Sequence, residues 1–565
     1  MSPVDGTPRA RRLHDRVPVR LRHHWKPAGA LCAGLAVMLY AFGDARISPY
    51  VTSASRVEAN AITDDVRGTV GLYDTSVRHS VQLEYQQTDF DKMMKEFKKD
   101  GTKDSIPADL TIDGVFLQDV GIRLKGNSTL MSLRGNRGGG PGGGRGGGPG
   151  GGQMPDLPAA GGRADGGDTP ADGAAGDGAA GDGAAGDGAA GARGGARGGG
   201  MTQYNLSADK PEELPWLIKI DEYVEGRAYQ GEREISLRPG SNAQVPVNEA
   251  LSLALIDGTG EPAERYSLSS LKVNNRPTAV RLMVENPDTE YAEAVEGESV
   301  VYKARAGGTF DYQGDDPSKY ETSFRQLNKV GSQDLEPVMK LTKWVEESSD
   351  TEFAENLDKH VDVDSLAHYI AAQNLLMNFD DMAGPGKNYL LGYDLNTKKF
   401  SVLGWDYNLT FSGDVTAGPD DQMSMGGGRG GAGGQGGDAG GGMPEGMPEL
   451  PEGVEMPGPG DLPGAPDGGA GGSGGAGGGG MRSGHALKTR FLGLDAFDDV
   501  YKKAYKDLYE KFYASGKATK VLADLTEQAT RAGLSAKEAK GAVGTLRTTV
   551  TQRTAALAKD KEVAG

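Results

Sequence analysis

Two glycine-rich blocks decide how much of this 565-residue chain can fold into a packed core. Most of its 90 glycines lie between residues 135 and 200 and between residues 418 and 484. Segments this rich in glycine and poor in aromatic residues bury too little apolar surface to offset chain entropy. We therefore predict disordered insertions at 135–200 and 415–484, the second also rich in proline and methionine. The remaining roughly 400 residues are enough for a two-lobed core.

The N-terminus combines a basic leader with an uncharged apolar run. Residues 1–26 carry seven Arg and Lys residues against two Asp residues, and residues 27–43 carry no charge. This pattern predicts a leader in the cytoplasm and a membrane-inserted segment, with a linker at 44–66 and everything after Asp44 outside. The length fits a short spanning helix or a long secretory segment. No clean Ala-x-Ala site follows, which favours a single-pass anchor in the cell membrane over a cleaved signal and a secreted protein.

Charge and cysteine content exclude several classes of protein. The formal net charge of −18 argues against general nucleic-acid binding, which requires a basic surface. The single cysteine, Cys32, lies in the apolar run, so no intrachain disulfide can form. An exported domain without disulfides fits a bacterial envelope better than a small secreted module. The seven histidines show no zinc-binding spacing.

Hydrophobic periodicity predicts a mixed α+β domain in two ordered stretches, 67–134 and 201–414. In the first, apolar residues recur every three or four positions from Asp89 to Lys98, which predicts a helix with Asp89 as its N-cap. Asp113-Gly114 separates two apolar runs and predicts a β-hairpin. Two further strands are predicted at Thr69–Tyr73 and Ser80–Leu83.

The second ordered stretch alternates strands with helices and continues into a helical tail. Pro215–Asp221 alternates apolar and polar residues, as a half-buried strand does. Val247–Ile256 and Val363–Asn378 have helical periodicity, and so does the tail at 485–565, which we expect to pack on the lobe before it. Two more strands are predicted at Ser269–Val273 and Thr278–Val284.

Acidic and amide residues surround a second predicted hairpin. Asp380 and Asp381 precede the hairpin, Asn388 begins it, and Asp406 follows its second strand. Side chains in these positions can converge on one point, and hard cations such as Mg²⁺ prefer oxygen ligands of this kind. Protein kinases place a catalytic Asp, a metal-binding Asn, two short strands and a metal-binding Asp in the same order. The stretch therefore predicts metal-assisted phosphoryl transfer.

Several motifs together resemble the spore-coat-protein-H (CotH) kinase family. Each motif alone is weak, but their shared order is specific. The resemblance covers roughly residues 67–412 without the first insertion, and extends weakly into the tail. The motifs are Arg123-Leu124-Lys125-Gly126-Asn127-Ser128-Thr129, Pro215-Trp216-Leu217-Ile218-Lys219, Val301-Tyr302-Lys303, Asn378-Phe379-Asp380, Asn388-Tyr389-Leu390 and Trp405-Asp406-Tyr407.

The resemblance implies an atypical, two-lobed protein-kinase-like fold. It further implies phosphate transfer from ATP, with Mg²⁺ or Mn²⁺, to Ser or Thr of a protein at the cell or spore surface. Some members of the family are surface ligands in adhesion, so a catalytically decayed binding protein on the same fold is the alternative function. Action on a glycan or polyphosphate is a third possibility.

By the resemblance, Asp380 is the catalytic residue that orients the acceptor hydroxyl, with Asp381 as its rival. Asp406 and Asn388 are expected to bind metal; the alternatives are a strand-end Asp that caps a turn and an Asn that satisfies backbone groups. The family commonly shows Trp-Asp-x-Asp, whereas this chain has Asn408 at the last position. An amide still offers an oxygen to a metal, but it supplies no charge.

The nucleotide-binding residues are also expected by analogy. In a kinase-like lobe a strand Lys contacts the phosphates and pairs with a Glu on the next helix, which here predicts Lys219 with Glu249. An exposed strand Lys and an ordinary surface Glu are the alternatives. Glu285 lies in a segment that is expected to link the two lobes and to contact adenine through its backbone. Arg123, Lys125 and Lys303 are further candidates for binding phosphate.

Overall fold

The computed structural model describes residues 61–126, 128–134, 204–242, 244–421 and 484–564. These ranges contain both strands and helices, which confirms the predicted α+β class. The leader at 1–26, the apolar segment at 27–43 and the insertion at 135–200 lie outside the described residues. None of the described helices is both long and apolar enough to cross a lipid bilayer.

Thirteen strands are formed within the described ranges. They are β1 (Asp64–Val66), β2 (His79–Tyr85), β3 (Ile106–Ile112), β4 (Val115–Leu124), β5 (Trp216–Lys219), β6 (Arg227–Tyr229), β7 (Glu234–Leu237), β8 (Tyr266–Val273), β9 (Ala279–Glu285), β10 (Val300–Ala304), β11 (Phe324–Gln326), β12 (Tyr389–Tyr393) and β13 (Phe400–Gly404).

The described α-helices fall before, between and after these strands. They are α1 (Gln87–Asp100), α2 (Val247–Asp257), α3 (Thr289–Glu296), α4 (Glu336–Glu347), α5 (Asp350–Asn356), α6 (Val363–Leu375), α7 (Ala486–Leu492), α8 (Asp498–Tyr509), α9 (Lys517–Ala532), α10 (Ala536–Leu557) and α11 (Lys561–Ala564).

Seven strands close into a ring in the order β2-β3-β4-β5-β7-β9-β8. All neighbours are antiparallel except β2 and β8, which are parallel and complete the ring. The alternation of residues puts Ile122, Trp216, Ile218 and Met283 into one buried cluster inside the sheet. Alternate residues on β4, β5 and β7 therefore point outward, where the candidate site lies.

Helix α1 covers the inner core of this sheet, as its apolar spacing predicts. Phe90, Met93, Met94 and Phe97 are all buried, and the Phe90 ring stacks on Tyr85 at 5.3 Å between centroids. The helix begins at Gln87, so the prediction of Asp89 as N-cap is wrong and Asp89 lies in the first turn. A carboxylate in the first turn still interacts favourably with the helix dipole.

The predicted strand at Thr69–Tyr73 is wrong, because this segment forms turns. The Gln230 side chain replaces a neighbouring strand as its hydrogen-bond partner. The Leu72 N–H donates to Gln230 Oε1 at 3.1 Å, and Gln230 Nε2 donates to the carbonyl of Val70 at 2.8 Å. A side chain 158 positions away along the chain is invisible to local periodicity.

A second sheet carries the predicted acidic hairpin. Its order is β11-β10-β12-β13, and every neighbour is antiparallel. Strands β12 and β13 form the predicted hairpin, with Tyr389 opposite Gly404. Helix α6 ends at Leu375, earlier than the predicted Asn378, because Met377 adopts a left-handed backbone (φ 51°) that turns the chain toward Asp380.

Both predicted boundaries of the ordered domain are too narrow. Asp64–Val66, assigned to the linker, forms β1 and pairs in parallel with β6. Residues 415–421, assigned to the second insertion, are held by Arg553 of α10, which is fully buried and donates to the carbonyls of Val415 (3.2 Å) and Ala417. The tail is helical from Ala486 onward, as predicted, and helices α8 and α9 pack against α6 and α2.

Candidate active site

The candidate site lies where the outer face of the closed sheet meets one end of the second sheet. Asn388 and Trp405 flank the pair formed by Tyr389 and Gly404, so both lie at the same end of the hairpin. Arg238 follows β7 and reaches Asp406, with Nη2 at 3.3 Å from Asp406 Oδ1. This contact joins the two sheets at the acidic residue that the sequence predicts to bind metal.

Asp380 is buried and held by three hydrogen bonds. Its Oδ1 accepts from the backbone N–H of Gly386, its Oδ2 accepts from Asn388 Nδ2 at 3.1 Å, and its own N–H donates to Asn378 Oδ1 at 3.1 Å. A Cβ at position 386 would collide with the carboxylate, so glycine is required there. Asp380 and Asn388, both predicted site residues, are therefore in direct contact.

The protonation of Asp380 depends on its neighbours. Burial raises the pKa of Asp380 to about 6, the hydrogen bonds from Gly386 and Asn388 oppose that rise, and repulsion from Asp406 adds to it. A carboxyl group with this pKa is ionised at pH 7 and can still accept a proton, which suits a general base.

Asp381, the alternative candidate for the catalytic residue, forms a structural contact. Its Oδ2 forms a buried ion pair with Lys488 of α7, and its Oδ1 accepts from the N–H of Ala383 at 2.8 Å. This ion pair connects α7, the first helix after the second insertion, to the loop between α6 and β12 that carries Asp380 and Asp381. Lys488 already neutralises the charge of Asp381, whereas the hydrogen bonds to the Asp380 carboxylate come from the neutral groups of Gly386 and Asn388, so Asp380 is the better candidate for a general base.

Asp406 adopts a left-handed backbone conformation, with φ 57° and ψ 63°. Non-glycine residues rarely take this conformation, and they do so most often where surrounding contacts impose it. Its N–H donates to Oε1 of the buried Glu264 at 3.3 Å, and its Oδ1 accepts no hydrogen bond within the described part of the chain, although Arg238 lies at ion-pairing distance. The local backbone thus aims a carboxylate rather than capping the next turn.

The buried ion pair of the site is Arg238 with Glu249, not Lys219 with Glu249. Arg238 and Glu249 are 7% and 1% exposed, and their side chains are in contact. Lys219 ends β5 and pairs instead with Glu222 in the loop that follows. The predicted pairing of Lys219 is therefore wrong. Lys219 thus pairs with a glutamate three residues along the chain and not with the glutamate of a helix 30 positions further on.

Two partly buried lysine side chains line the same region. Lys125 Nζ donates to Asn286 Oδ1 at 2.6 Å, and Lys303 Nζ lies 3.4 Å from the centre of the Trp405 ring. Neither has a carboxylate within ion-pairing distance among the residues that the structure describes. Burial and repulsion from other cations lower the pKa of Lys125 to about 7 and that of Lys303 to about 8. Such groups are prepared to receive an anion.

The other two nucleotide candidates differ in their placement. Arg123 lies opposite Leu217 on the outer face of the closed sheet, two residues before Lys125. Glu285 is in the predicted linking segment, but its carboxylate is occupied by Arg265, whose backbone N–H and Nε donate to it at 3.0 and 3.1 Å. Sequence reasoning missed Arg238, Glu264 and Asn286, since only the fold brings them to the site.

The acidic and amide oxygens fit a metal that arrives with a nucleotide. Within the described ranges no three Asp, Glu, His or Cys side chains form a metal site by themselves. Buried oxygens without a hydrogen-bond partner nevertheless occur on Asp406 (Oδ1) and Asn408 (Oδ1). Mg²⁺ is commonly bound by one or two carboxylates together with phosphate oxygens and water. Asp406 supplies one such carboxylate and Asn408, two residues later, an amide oxygen, while Asn388 contacts Asp380, whose pKa Asp406 raises.

Comparison with known proteins places this geometry in a family. A model of the family described as CotH kinase protein matches residues 197–532, which is more than half of the chain. The matched span begins at the end of the first insertion and stops at the last residue of α9, so it leaves out Arg123 and Lys125. No curated protein matches the chain with significant similarity. The chain belongs to the CotH kinase protein family.

Proposed function

We propose that this protein is a kinase that transfers the γ-phosphoryl group of ATP to a Ser or Thr hydroxyl of a surface protein. The cleft would lie between the closed sheet and the second sheet of a two-lobed kinase-like fold. The observation that supports the proposal is the pair of partly buried lysines, Lys125 and Lys303, that have no carboxylate at ion-pairing distance within the described ranges and lie near Asp406. Nucleotide phosphates supply the missing negative charge.

Asp380 orients the acceptor hydroxyl and accepts its proton. The hydroxyl oxygen forms a bond to the γ-phosphorus as the bond to the β,γ-bridging oxygen breaks, and ADP leaves with that electron pair. Asn388 and the N–H of Gly386 hold the carboxylate in place before the substrate binds, so no conformational entropy is lost in positioning it during the reaction.

Asp406, Asn388 and Asn408 would hold Mg²⁺ or Mn²⁺. When bound, the cation neutralises phosphate charge. Arg238 takes the place of the strand lysine of protein kinases, because it pairs with the helix residue Glu249 and contacts Asp406 at the same time. Glu264 fixes the backbone of Asp406 in its unusual conformation.

The proposed cellular location and the proposed protein acceptor rest on the sequence pattern and not on the geometry of the site. The apolar segment at 27–43 supports a single-pass anchor with the kinase domain outside the cytoplasm. A protein acceptor at the cell or spore surface is then within reach. ATP is scarce there, so a different phosphorylated donor is compatible with the same site.

One feature favours a second function, that of a surface binding or adhesion protein without catalysis. Asn408 replaces the second carboxylate of the family's Trp-Asp-x-Asp motif, which removes one negative charge from the metal site. A weakened metal site lowers phosphoryl transfer but leaves the fold and its outer surfaces intact.

Transfer of radiolabelled phosphate from ATP by the full-length protein tests the proposal. With Mg²⁺ or Mn²⁺ and a mixture of surface proteins, the wild type incorporates label, and Asp406→Asn lowers incorporation by about 10²–10³-fold, because an electrostatic contact to the reacting group is lost. Equal labelling by both proteins removes Asp406 from the mechanism. No labelling, together with no nucleotide-induced rise in melting temperature, favours the binding protein.

Nucleotide affinity depends on pH through Lys125. The pKa of Lys125 is about 7 in the free protein, and a bound phosphate favours its protonated form, so binding above pH 7 requires uptake of a proton. We expect affinity for a non-hydrolysable ATP analogue to fall by roughly tenfold from pH 7 to pH 8.5. Isothermal titration calorimetry at several pH values measures this slope.

Two lysine variants separate the candidates. Lys125→Met binds the analogue weakly at every pH and shows a flatter profile, whereas Lys219→Met, which loses only its contact with Glu222, binds nearly as the wild type does. The reverse pattern would return the phosphate-binding role to Lys219.

A further inference from the structure

Three basic side chains share one face at the edge of the second sheet. Lys303 on β10 lies directly opposite Arg325 on the edge strand β11. Arg305 follows two residues after Lys303, and its N–H donates to the carbonyl of Ser323 at 2.9 Å, so the ladder continues and Arg305 points to the same side. The opposite face, with Tyr302 and Ala304, belongs to the large core.

The two arginines of this row have no acidic partner in contact. Within the described ranges, neither Arg305 nor Arg325 has a carboxylate at ion-pairing distance, whereas Lys303 contacts the Trp405 ring and lies in the field of Asp406. Like charges directly opposite each other on neighbouring strands destabilise a sheet. The chain carries a net charge of −18, so carboxylates to neutralise this position are abundant elsewhere. Two arginines held on one face without acidic partners offer a candidate site for an external anion.

The row lies beside the proposed acceptor site. Lys303 is opposite Leu390 on β12 and the two strands are antiparallel, so Arg305, which follows β10, lies toward the end of β12 that Asn388 precedes. Asn388 donates to Asp380, the residue proposed to receive the acceptor hydroxyl. Lys303 is the partly buried member of the row, whereas Arg305 and Arg325 are exposed. The two arginines are therefore open to a macromolecule, while Lys303 remains with the nucleotide.

We propose that Arg305 and Arg325 bind a negatively charged side chain of the acceptor next to the Ser or Thr that is phosphorylated. This inference rests on the proposed kinase function and names its substrate class, an acidic or already phosphorylated segment. Arginine suits both groups, because its guanidinium donates two parallel hydrogen bonds to a carboxylate or to a phosphate.

Peptide binding to the full-length protein tests the inference. Three fluorescent Ser peptides are compared by anisotropy with MgADP present; they carry Ala, Glu or phosphoserine on both sides of the acceptor. The wild type binds the Glu and phosphoserine peptides at least about tenfold more tightly than the Ala peptide, since hydrogen bonds to charged groups are strong. Tighter binding of phosphoserine than of Glu identifies a previously phosphorylated acceptor, and equal binding identifies an acidic one.

The double variant Arg305→Gln/Arg325→Gln loses this discrimination but keeps the wild-type affinity for ATP. Arg547→Gln, an exposed arginine on α10, is the matched control and retains both properties. If ATP affinity falls and peptide discrimination persists, the two arginines belong to the nucleotide site and the inference is wrong. It is also wrong if the wild type binds all three peptides equally.

Two readouts keep this inference distinct from the proposed function. A wild type that discriminates among the peptides but transfers no phosphate retains the acidic-ligand site and loses the kinase assignment. If the wild type phosphorylates all three peptides with the same KM, the protein is a kinase but the proposed arginine site is wrong.

The stability of the unliganded protein gives an independent test. Arg325→Gln is expected to melt about 1 °C higher than the wild type, because one repulsion between like charges is removed. A marked fall in melting temperature would show that Arg325 has a stabilising acidic partner.

Discussion

Replacing Asp380 by Asn lowers kcat for phosphate transfer by about 10²–10⁴-fold, the usual contribution of a positioned general base. The amide fits the same space and still accepts the hydrogen bond from Gly386, so the loop is preserved. It cannot accept the hydroxyl proton. KM for ATP changes little, because Asp380 contacts Asn388 and Gly386 rather than the candidate phosphate-binding lysines. Initial rates at saturating acceptor measure the effect.

The neighbouring carboxylate provides the matched control. Asp381→Asn removes the buried ion pair with Lys488, so it lowers the free energy of unfolding while kcat of the folded fraction stays within about tenfold of the wild type. If Asp381→Asn abolishes transfer and Asp380→Asn does not, the two roles are exchanged and the proposed base is wrong.

Replacing Arg238 by Met lowers the free energy of unfolding by about 3–5 kcal/mol, the cost of leaving buried charge without its partner. Arg238 is the cation in contact with both Glu249 and Asp406. The methionine fills much of the same volume, so the loss reports charge more than packing. Urea denaturation followed by circular dichroism at pH 8.5 measures the change.

The free energy of unfolding that Arg238→Met removes depends on pH. Burial raises the pKa of Glu249 and that of Glu264 to about 7, against 4.5 for ordinary Glu residues. Their protonated forms favour the folded state, and that contribution is lost as pH rises through 7. Without Arg238 the carboxylates are still harder to ionise, so Arg238→Met is more destabilising at pH 8.5 than at pH 6. A loss that is equal at both pH values would contradict this electrostatic explanation.

The double variant Arg238→Met/Glu249→Leu isolates the pair. Removing both charges avoids the isolated buried carboxylate, so the double variant recovers part of the stability that the single variant loses. If the double variant is less stable than Arg238→Met, packing rather than charge explains the effect of Arg238.

Local pattern was sufficient for elements whose signal lies within a few residues. The spacing of Phe90, Met93, Met94 and Phe97 predicted α1, and Asp113-Gly114 predicted the turn between β3 and β4. Both residues of that turn have positive φ, 51° and 83°, as a tight hairpin requires. The strand predicted at Thr69–Tyr73 does not form, because the hydrogen-bond partner of this segment is the side chain of Gln230, which is too distant in sequence for a local pattern to reveal.

The same distinction separates the parts of the candidate site that the sequence predicted from those it did not. Asp380 and Asn388 lie eight residues apart around one loop, so their contact follows from a single hairpin. Arg238 and Glu264 reach the site from the two ends of the connection between β7 and β8, and Asn286 reaches it from the segment after β9. Their roles depend on the pairing of strands far apart in sequence. The comparison with protein kinases failed for Lys219, because this strand lysine pairs with Glu222, three residues along the chain, and not with Glu249.

Crystals of the full-length protein grown with Mn²⁺ and a non-hydrolysable ATP analogue locate both the metal and the nucleotide, because Mn²⁺ gives an anomalous signal. We expect one anomalous peak at coordination distance from Asp406, with the analogue's phosphates within hydrogen-bond reach of Lys125 and Lys303. A nucleotide bound elsewhere, or a metal that does not contact Asp406, would contradict the assignment of this cleft as a phosphotransferase site.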